Sequence, residues 1–590
     1  MEPDKSDTSI QPSPKKRRTK EELEPEQMEN NMMPSLFAEC HPITNLEDIE
    51  GVIEEPPRWV KRVQPLAPRA PTVVQNILSD CHSDCDHYLP RNRFDARMVP
   101  KTLVCHDYKG GYQADKYLHY PDENILGNGY PFYNWAQIDI FVYFSHHLIT
   151  IPPLCWINVG HRNGVKVLGT LITEFDQGAK ICDKIFKNVQ TMQQFANSLV
   201  KLSSIFGFDG WLLNIENSIT NVDVLKKFVV YLSDRVQSDN PNNLVIWYDS
   251  VTVEGALDWQ NKLSPKNSFF FDACDGIFLN YTWSEKHLLE TVEAAKHRNL
   301  DVFVGIDIFG RNMFGGGKFS TYKAAEVVTR YNLSIAIFAP GWTHETLERN
   351  DIFFEQFLNR DSAFWCSLWP YFYTHPINNY FTTNFYIGLD KACYNMFNQQ
   401  QQLSKFLHPK NLPSIETYQT ITTLSNKCNC IQAVTLGSRN TCLLTKKDLR
   451  KNVDYVHHLF VCDLKIADNS VVFHLTKNVD KEAKLSVTIL TCGLNNKFRK
   501  IKLLADYKYE PVNNASLLEV NPSEANDVYD SVRRRYLKMV EEEEWTLRVY
   551  IFNTGPCNIL EIGATIEGGD SIYFGAFGIQ NADGDFLKKK

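Results

Sequence analysis

The sequence predicts an α/β protein: a (β/α)8 barrel, preceded by a disordered tail and followed by a β-sandwich region. From about residue 100, short apolar runs alternate with helical stretches, and after about 380 short β-rich runs alternate with Asn, Asp and Gly turns. Because 590 residues are too many for one core, we predict a tail at 1–90, a barrel at 95–378 and one or two β-sandwich domains at 379–590.

The predicted tail is rich in Pro, Glu, Lys and Ser and has few aromatic residues. Its Lys-Lys-Arg-Arg run at 15–18 resembles a nuclear-import patch, although a solvated charge run explains such a pattern more often. Two cysteines and two histidines crowd together at 81–87 as candidate metal ligands. No second pair at zinc-site spacing follows them, so we predict no metal site.

Composition narrows the class of protein. A net charge of -8 argues against a nucleic-acid partner, because phosphate binding needs a basic face. The first 20 residues lack the apolar core of a signal peptide, and no later apolar run is long enough for a membrane span. The 15 cysteines are scattered, which is typical of reduced thiols. We therefore expect a soluble, cytosolic protein without a membrane partner.

Eight apolar runs are the predicted barrel strands, at 102–106, 138–144, 165–172, 208–216, 244–249, 276–281, 302–307 and 335–339. Amphipathic segments at 222–236, 285–298 and 322–331 separate the later runs. Crossovers of this length fit a closed barrel better than an open sheet. No Gly-x-Gly-x-x-Gly follows the first run, which weakens the alternative of a dinucleotide-binding fold.

Polar and aromatic residues stand at the C-terminal ends of these runs, where barrel enzymes form their active sites. The candidates at these ends are His106, Asn214, Glu216, Tyr248, Asn280, Trp283, Asp307 and Trp342. So many strand ends with such residues indicate a catalytic rim. Asp209 stands early in its strand instead, so we expect it to have a structural role in the barrel.

The fourth run carries the strongest chemical signal. Asn214 and Glu216 stand two residues apart, so on a strand both side chains point the same way. Burial near Trp211, Tyr248 and Trp283 would raise the pKa of Glu216 and keep it protonated as a general acid. An amide cannot be the second carboxylate of most glycosidases, but it can hold the 2-acetamido group of a sugar that attacks its own anomeric carbon.

The stretch 209–216, Asp-Gly-Trp-Leu-Leu-Asn-Ile-Glu, resembles the strand-four motif of the cytosolic endo-β-N-acetylglucosaminidases, glycoside hydrolase family 85. The likeness extends through 104–112, 246–250, 280–283, 305–311 and the glycine loop 315–317, and so spans about 95–390. It implies a TIM-barrel enzyme that cuts between the two core GlcNAc units of N-glycans. By the same resemblance Glu216 is the general acid/base, Asn214 orients the acetamido group, Tyr248 assists, and aromatics such as Trp259 and Trp283 line the sugar cleft.

The full set of expected substrate-binding residues is His106, Trp211, Trp259, Asn280, Trp283, Asp307 and Trp342. We expect a retaining, substrate-assisted reaction with no cofactor and no metal, acting on N-glycans of misfolded glycoproteins or on free oligosaccharides. One alternative is a family 18 chitinase-like hydrolase, but Leu212 and Asn214 occupy the two inner Asp positions of its Asp-x-x-Asp-x-Asp-x-Glu motif. The other is an inactive glycan-binding barrel, against which the presence of Glu216 argues. The glycine loop lacks a phosphate-binding pattern and is interpreted as a flexible loop over the sugar cleft.

Overall fold

The computed structural model describes residues 39–75, 82–84, 88–117, 129–350, 353–383, 385, 431–436, 439–446, 455–467, 469–479, 482–524 and 526–582. Within them, strands β1 (Thr72–Gln75), β2 (His82–Asp84) and β3 (Arg93–Asp95) precede a barrel. The barrel strands are β4 (Thr102–Asp107), β5 (Ile140–Phe144), β7 (Lys166–Thr173), β8 (Gly210–Ile215), β9 (Leu244–Tyr248), β10 (Gly276–Leu279), β11 (Val302–Asp307) and β12 (Ser334–Phe338), and the short β6 (Ile149–Thr150) lies antiparallel on β7.

The eight barrel strands are parallel and lie in the order β5-β4-β12-β11-β10-β9-β8-β7, and β5 also pairs with β7, so the sheet closes on itself. This confirms the predicted (β/α)8 barrel. Each of the eight runs identified in the sequence contains most of one strand, since fully apolar runs mark strands that are covered on both faces. The sequence did not predict β6.

Helices surround the barrel, and those predicted at 222–236, 285–298 and 322–331 are confirmed. The described helices are Ile49–Glu54, Leu154–Arg162, Phe175–Ile185, Val189–Phe206, Val222–Asp239, Ser268–Ala273, Glu285–Ala295, Thr321–Arg330, Trp342–Glu345, Phe353–Leu368, Asp527–Arg535 and Leu537–Glu541. Val222–Asp239 is representative: Leu225, Phe228, Val229 and Leu232 recur every three to four residues and bury one face against the sheet.

The helix before β8 sets where that strand begins. The Asn188 side chain accepts a hydrogen bond from the backbone N of Thr191 and caps helix Val189–Phe206. Gly207 ends it with φ +68°, a left-handed conformation that favours glycine. Asp209 then accepts the backbone N–H of Val167 at 2.7 Å and lies 2.8 Å from His161 Nε2. These contacts tie the start of β8 to its neighbours and agree with the structural role expected of Asp209.

Alternate residues of each barrel strand face opposite sides. Leu103 and Cys105 of β4 and Leu212 of β8 belong to the cluster that fills the barrel interior. Trp211 and Leu213 of β8 instead join the larger cluster between the sheet and the helices. Because side chains alternate along a strand, odd-numbered residues of β4 and even-numbered residues of β8 point toward the barrel axis.

The predicted tail at 1–90 is wrong for residues 39–75, which fold against the barrel. Cys40, Ile43, Ile49 and Trp59 are buried in its outer core, and the Trp59 ring lies 5.3 Å from that of Phe206. Burial of these scattered apolar residues offsets the ordering of a segment whose overall composition is that of a disordered chain. Residues 1–38, including the basic run at 15–18, lie outside the described residues.

Two six-stranded sheets form the β-sandwich that the sequence predicted. One has the order β15-β16-β24-β18-β22 with β14 also on β24, and the other has the order β2-β17-β23-β19-β20-β21. The strands are β13 (Tyr373–Thr374), which pairs with β1, β14 (Phe381–Thr383), β15 (Ile431–Leu436), β16 (Arg439–Thr445), β17 (Tyr455–Ile466), β18 (Ser470–Asn478), β19 (Lys484–Gly493), β20 (Phe498–Leu503), β21 (Leu517–Val520), β22 (Thr546–Phe552), β23 (Cys557–Glu567) and β24 (Ser571–Asn581).

Apolar residues of both sheets share one core, among them Val472 and Phe577 of the first sheet and Ile489 and Ile562 of the second. Arg93 of β3 joins the sandwich to the segment before the barrel, because its Nη2 donates to the carbonyl oxygens of Cys462 and Leu560 at 2.6 and 3.0 Å. Over the described residues, no helix is both long enough and apolar enough to span a membrane.

Candidate active site

The C-terminal ends of the barrel strands bring a set of polar side chains to one end of the barrel. The alternation of side chains along the strands directs seven of them toward the axis: Asp107 at the end of β4, Glu174 after β7, Asn214 on β8 and Glu216 after it, Tyr248 at the end of β9, Asn280 after β10 and Asp307 at the end of β11. This cluster is the candidate active site.

Glu216 and Asn214 lie at its centre. Asn214 is buried, Glu216 is half-buried, and the Asn214 Nδ2 donates to Glu216 Oε1 at 3.4 Å. The backbone N of Glu216 donates to the Thr173 carbonyl at 2.8 Å, which fixes the carboxyl beside the end of β7. Burial raises the pKa of Glu216, and the nearby Glu174 carboxylate raises it further, while the Asn214 hydrogen bond and His146 act against them. A carboxyl of this kind can hold a proton at the pH at which ordinary glutamates lose it.

A chain of hydrogen bonds fixes Tyr248 beside this pair. Tyr248 Oη donates to Asn280 Oδ1 at 2.9 Å, and Asn280 Nδ2 donates to Asn261 Oδ1 at 2.8 Å. Burial raises the pKa of Tyr248 well above its usual value, and Glu216 adds to this, so the hydroxyl stays protonated. Tyr248 and Asn280, both predicted from the sequence, therefore form one unit with the loop after β9.

Asp249 holds that loop in place from behind the sheet. Its carboxylate accepts Asn267 Nδ2 at 2.8 Å and the backbone N of Asn261 at 2.7 Å. Burial raises the pKa of Asp249 to about 6 even against these donors. Trp259, predicted to contact sugar, lies on this loop, and 39% of its surface is exposed.

Asp307 is at the rim as predicted, although it is already paired. Its two carboxylate oxygens lie 2.8 and 3.3 Å from Arg311 Nε and Nη2, and the backbone N of Phe309 donates to it at 3.1 Å. The charge of Asp307 also helps to raise the pKa of Asp107, for which burial is the main cause. The Asp307 carboxylate is therefore almost fully covered, and Arg311 is the exposed partner of the pair.

Trp283 is 4% exposed, so most of its ring is covered. It stacks on Phe314 of the glycine loop with 5.2 Å between ring centroids, and its Nε1 donates to the Gly305 carbonyl at 2.8 Å. Gly315, Gly316 and Gly317 all have positive φ values, which suits a loop of tight turns. The role of Trp283 in lining the cleft stays a prediction.

Three predicted substrate-binding residues lie outside the cleft. His106 packs among aromatic rings of the outer layer, with 4.7 Å between its ring centroid and that of Trp156. It lies there because even-numbered residues of β4 face the helices. Trp211 is fully buried, and its Nε1 donates to the Leu199 carbonyl of the neighbouring helix. Trp342 is buried with the Arg360 guanidinium 4.0 Å from its ring centroid. Proximity to a strand end does not specify which face a side chain occupies, and a role of these three residues in binding substrate stays a prediction.

Three rim residues, Asp107, His146 and Glu174, were given no role from the sequence. His146 Nδ1 lies 3.1 Å from Glu174 Oε2, and its Nε2 lies 3.9 Å from Asp107 Oδ2. The signal was present, because His146 and Asp107 were visible after the first two apolar runs. Glu174 was overlooked because the predicted third strand ended at 172, whereas β7 reaches Thr173.

Where the structure gives side-chain positions, no group of three or more His, Cys, Asp or Glu residues is arranged to hold a metal ion. Cys81 and residues 85–87 of the sequence cluster considered for metal binding lie outside the described residues, and for 82–84 only the backbone is described. The side chains at the rim are a carboxyl with a raised pKa, amides, a phenol and a histidine–carboxylate pair.

Comparison with known proteins shows which family and which relatives this chain is similar to. Residues 112–398 match the family model described as Glycosyl hydrolase family 85. The cytosolic endo-β-N-acetylglucosaminidase of Mus musculus is 43% identical over 316 residues, which cover 52% of this chain and 42% of the mouse protein. Cytosolic endo-β-N-acetylglucosaminidase 1 of Arabidopsis thaliana is 37% identical over 443 residues, which cover 70% of this chain and 62% of that protein.

The chain thus spans less than two thirds of the length of either relative. Among solved structures, the glycoside hydrolase domain of Endo-D from Streptococcus pneumoniae R6 aligns with a TM-score of 0.61 over 93% of this chain and 84% of that one, at 16% identity. At 16% identity, this structural similarity supports the fold alone.

Proposed function

We propose that this chain, whose segment 112–398 belongs to glycosyl hydrolase family 85, is an endo-β-N-acetylglucosaminidase. The observation that carries the proposal is the pairing on β8, where Asn214 donates to the half-buried carboxyl of Glu216 from the same face of the strand. The two curated relatives carry that activity in their names.

The proposed bond is the β1,4 linkage between the two core GlcNAc units of an N-glycan, cleaved with retention of configuration. The 2-acetamido oxygen attacks the anomeric carbon, the bond to the leaving oxygen breaks, and Glu216 gives its proton to that oxygen. Asn214 holds the acetamido group as positive charge develops on the oxazolinium ion, and Tyr248 adds a second polar contact. Water then attacks the anomeric carbon and breaks its bond to the acetamido oxygen, which opens the oxazolinium ring. Glu216, now a carboxylate, takes a proton from that water.

The amide at 214 favours this route over the usual pair of carboxylates. A second carboxylate nucleophile would have to approach from the same cleft, and the acidic side chains there are already engaged. Asp307 is paired with Arg311, and Glu174 is hydrogen-bonded to His146. Asp107 accepts the backbone N–H of Gly110. The substrate's own acetamido oxygen supplies the nucleophile instead, so the proposed reaction needs no cofactor.

The proposed substrates are N-glycans on misfolded glycoproteins and free oligosaccharides that carry the core GlcNAc pair. The relatives named above are called cytosolic, which supports the cytosol as the site of action. Each substrate would be cut so that one GlcNAc stays on the reducing side.

Mass analysis of the products from a high-mannose glycopeptide tests the reaction. The expected result is a peptide that keeps a single GlcNAc and a glycan that has lost one. A peptide converted to Asp at the glycosylated position would indicate an amidase instead. Intact glycopeptide with the wild-type protein, under conditions where the chain is folded, would contradict the proposal.

Asn214→Ala tests the substrate-assisted step separately. The variant should lose activity on the glycopeptide but still transfer from a supplied sugar oxazoline, because that donor enters after the step that Asn214 assists. Asn221→Ala, at the start of helix Val222–Asp239 and outside the cleft, is the matched amide control. A folded Asn214→Ala protein that cannot use the oxazoline would contradict the assisted mechanism.

A further inference from the structure

A histidine–carboxylate pair lies next to the proposed acid. His146 Nδ1 is 3.1 Å from Glu174 Oε2, and His146 Nε2 is 3.9 Å from Asp107 Oδ2. The His146 side chain is 53% exposed, whereas those of Glu174 and Asp107 are largely buried. The proposed reaction uses none of the three side chains directly.

Strand pairing brings Glu174 beside Glu216. Thr173 of β7 and Ile215 of β8 are register partners. Glu174 follows Thr173 in the chain, and Glu216 follows Ile215. The Glu216 backbone N, bonded to the Thr173 carbonyl, holds the two strand ends together at this point. Both side chains continue the interior-facing alternation of their strands, so the two carboxyls share the cleft.

The charges of the pair act on Glu216 in opposite directions. The Glu174 carboxylate helps burial to raise the pKa of Glu216, whereas His146 lowers it. The hydrogen bond that Glu174 accepts from His146, together with the charges of Glu174, Asp107 and Glu216, raises the pKa of His146 against the effect of burial. The ionisation of His146 and that of Glu216 are therefore coupled.

We infer that His146 and Glu174 are a positioning pair that controls when Glu216 loses its proton. While His146 is protonated, it balances the charge of Glu174. When it loses its proton, the unbalanced carboxylate of Glu174 helps to keep the proton on Glu216. The effect is to extend proton donation toward higher pH. This inference rests on the proposed function, because it concerns the acid assigned there.

Besides Asp107, whose carboxylate lies 3.9 Å from His146 Nε2, the described groups around the pair are neutral or paired. Asn214 of β8 and Tyr248 of β9 face Glu216 as neutral groups, since burial keeps the phenol protonated. From the adjoining loop His147 faces His146, and burial lowers the His147 pKa. Beyond Asp107, on the far side of His146, Asp307 is paired with Arg311. Among the described groups that act on Glu216, the pair of His146 and Glu174 is thus the unit whose net charge changes when His146 loses its proton.

A double-mutant cycle with Gln at positions 146 and 174 tests the inference, and the measurement is the pH profile of kcat/KM on a high-mannose glycopeptide. A general acid must be protonated to act, so kcat/KM falls as pH rises through the pKa of Glu216. His146→Gln leaves Glu174 unbalanced and should move this fall to higher pH. Glu174→Gln removes the repelling charge and should move it to lower pH. Each shift should be about half a pH unit, the size expected of one neighbouring charge in a half-solvated cleft.

The double variant His146→Gln/Glu174→Gln carries neither charge and should return the profile toward that of the wild type. His147→Gln, the same change one residue along the loop, should leave the profile in place. Salt should shrink both single-variant shifts because it screens the charges. Loss of packing alone would lower kcat/KM at every pH and would not give opposite shifts that cancel. Single variants that shift the same way, or not at all, would overturn the inference.

Difference infrared spectroscopy separates this inference from the proposed function. The protonated-carboxyl band that is lost in Glu216→Gln reports Glu216 directly, without substrate. Its titration should occur at higher pH in His146→Gln than in the wild type, and at lower pH in Glu174→Gln. This order without glycan cleavage would support the pair and contradict the proposed function. Glycan cleavage without this order would contradict the pair alone.

Discussion

The inner and outer faces of the barrel strands differ in chemistry, although both are buried and both carry polar and aromatic groups. At the inner rim, carboxyls and amides lie within reach of one another, and burial raises the pKa of Glu216. On the outer face, Trp211 and His106 are covered by helices and neighbouring rings. We therefore assign the proposed reaction to the inner rim, and we assign to the outer layer the packing that holds the barrel in shape.

Glu216→Gln should give the largest effect and separates the two faces most clearly. The variant keeps the size of the side chain but cannot donate the proton, so kcat should fall about 100- to 10,000-fold. Thermal stability should be unchanged or slightly higher, since a buried ionisable group is replaced by a neutral one. Steady-state rates on a glycopeptide and a melting curve measure the two effects.

The matched control is Glu293→Gln, an exposed position on helix Glu285–Ala295 that should keep the wild-type rate. Wild-type kcat in Glu216→Gln would show that the acid lies elsewhere on the rim.

Trp211→Ala applies the same test to the outer face. Removing a fully buried indole should lower the free energy of unfolding by about 3–5 kcal/mol, because a cavity remains between β8 and the helix that ends at Phe206. Per folded molecule, KM for the glycopeptide should change little, since the ring does not reach the cleft. Urea unfolding and active-site-normalised kinetics measure both quantities, and a tenfold rise in KM in a well-folded variant would return Trp211 to the substrate site.

Asp209→Asn tests the contacts that tie the start of β8 to its neighbours. Burial acts to lower the pKa of His161, but the hydrogen bond and charge of Asp209 outweigh it and raise that pKa. Because the folded-state pKa lies above the unfolded value of about 6.5, the stabilisation is complete below that pH and is lost as pH rises through the folded pKa. At pH 6 the variant should be less stable by about 1.5–3 kcal/mol, the worth of a hydrogen bond to a charged group.

The difference between wild type and Asp209→Asn should shrink as pH rises, and urea unfolding at several pH values from 6 to 9 measures it. A constant difference across that range would mean that His161 is neutral in the folded wild-type protein.

The sequence located the barrel strands well because their apolar runs were bounded by polar residues. It could not assign a face to His106 or Trp211, since a strand covered on both sides has no alternating pattern to read. The sequence could not predict the contact between His146 and Glu174 for another reason. That contact depends on how the segments after β5 and after β7 approach each other in space. The folding of residues 39–75 was hidden because a few buried residues such as Trp59 are diluted in a polar, proline-rich segment.

Trp259→Ala should give the smallest effect and sharpens the comparison at the outer edge of the cleft. Trp259 differs from Trp211 in that it is partly exposed, on a loop held by Asp249 through the backbone of Asn261. If the ring stacks on sugar, as predicted, KM for the glycopeptide should rise about tenfold, which corresponds to about 1.4 kcal/mol, while kcat and the melting temperature stay near wild type. Phe269→Ala is the matched control, because Phe269 is similarly exposed but lies on helix Ser268–Ala273, away from the rim. Equal KM values for the two variants would remove Trp259 from the sugar site, and a large loss of melting temperature in Trp259→Ala would instead assign its ring to holding the loop.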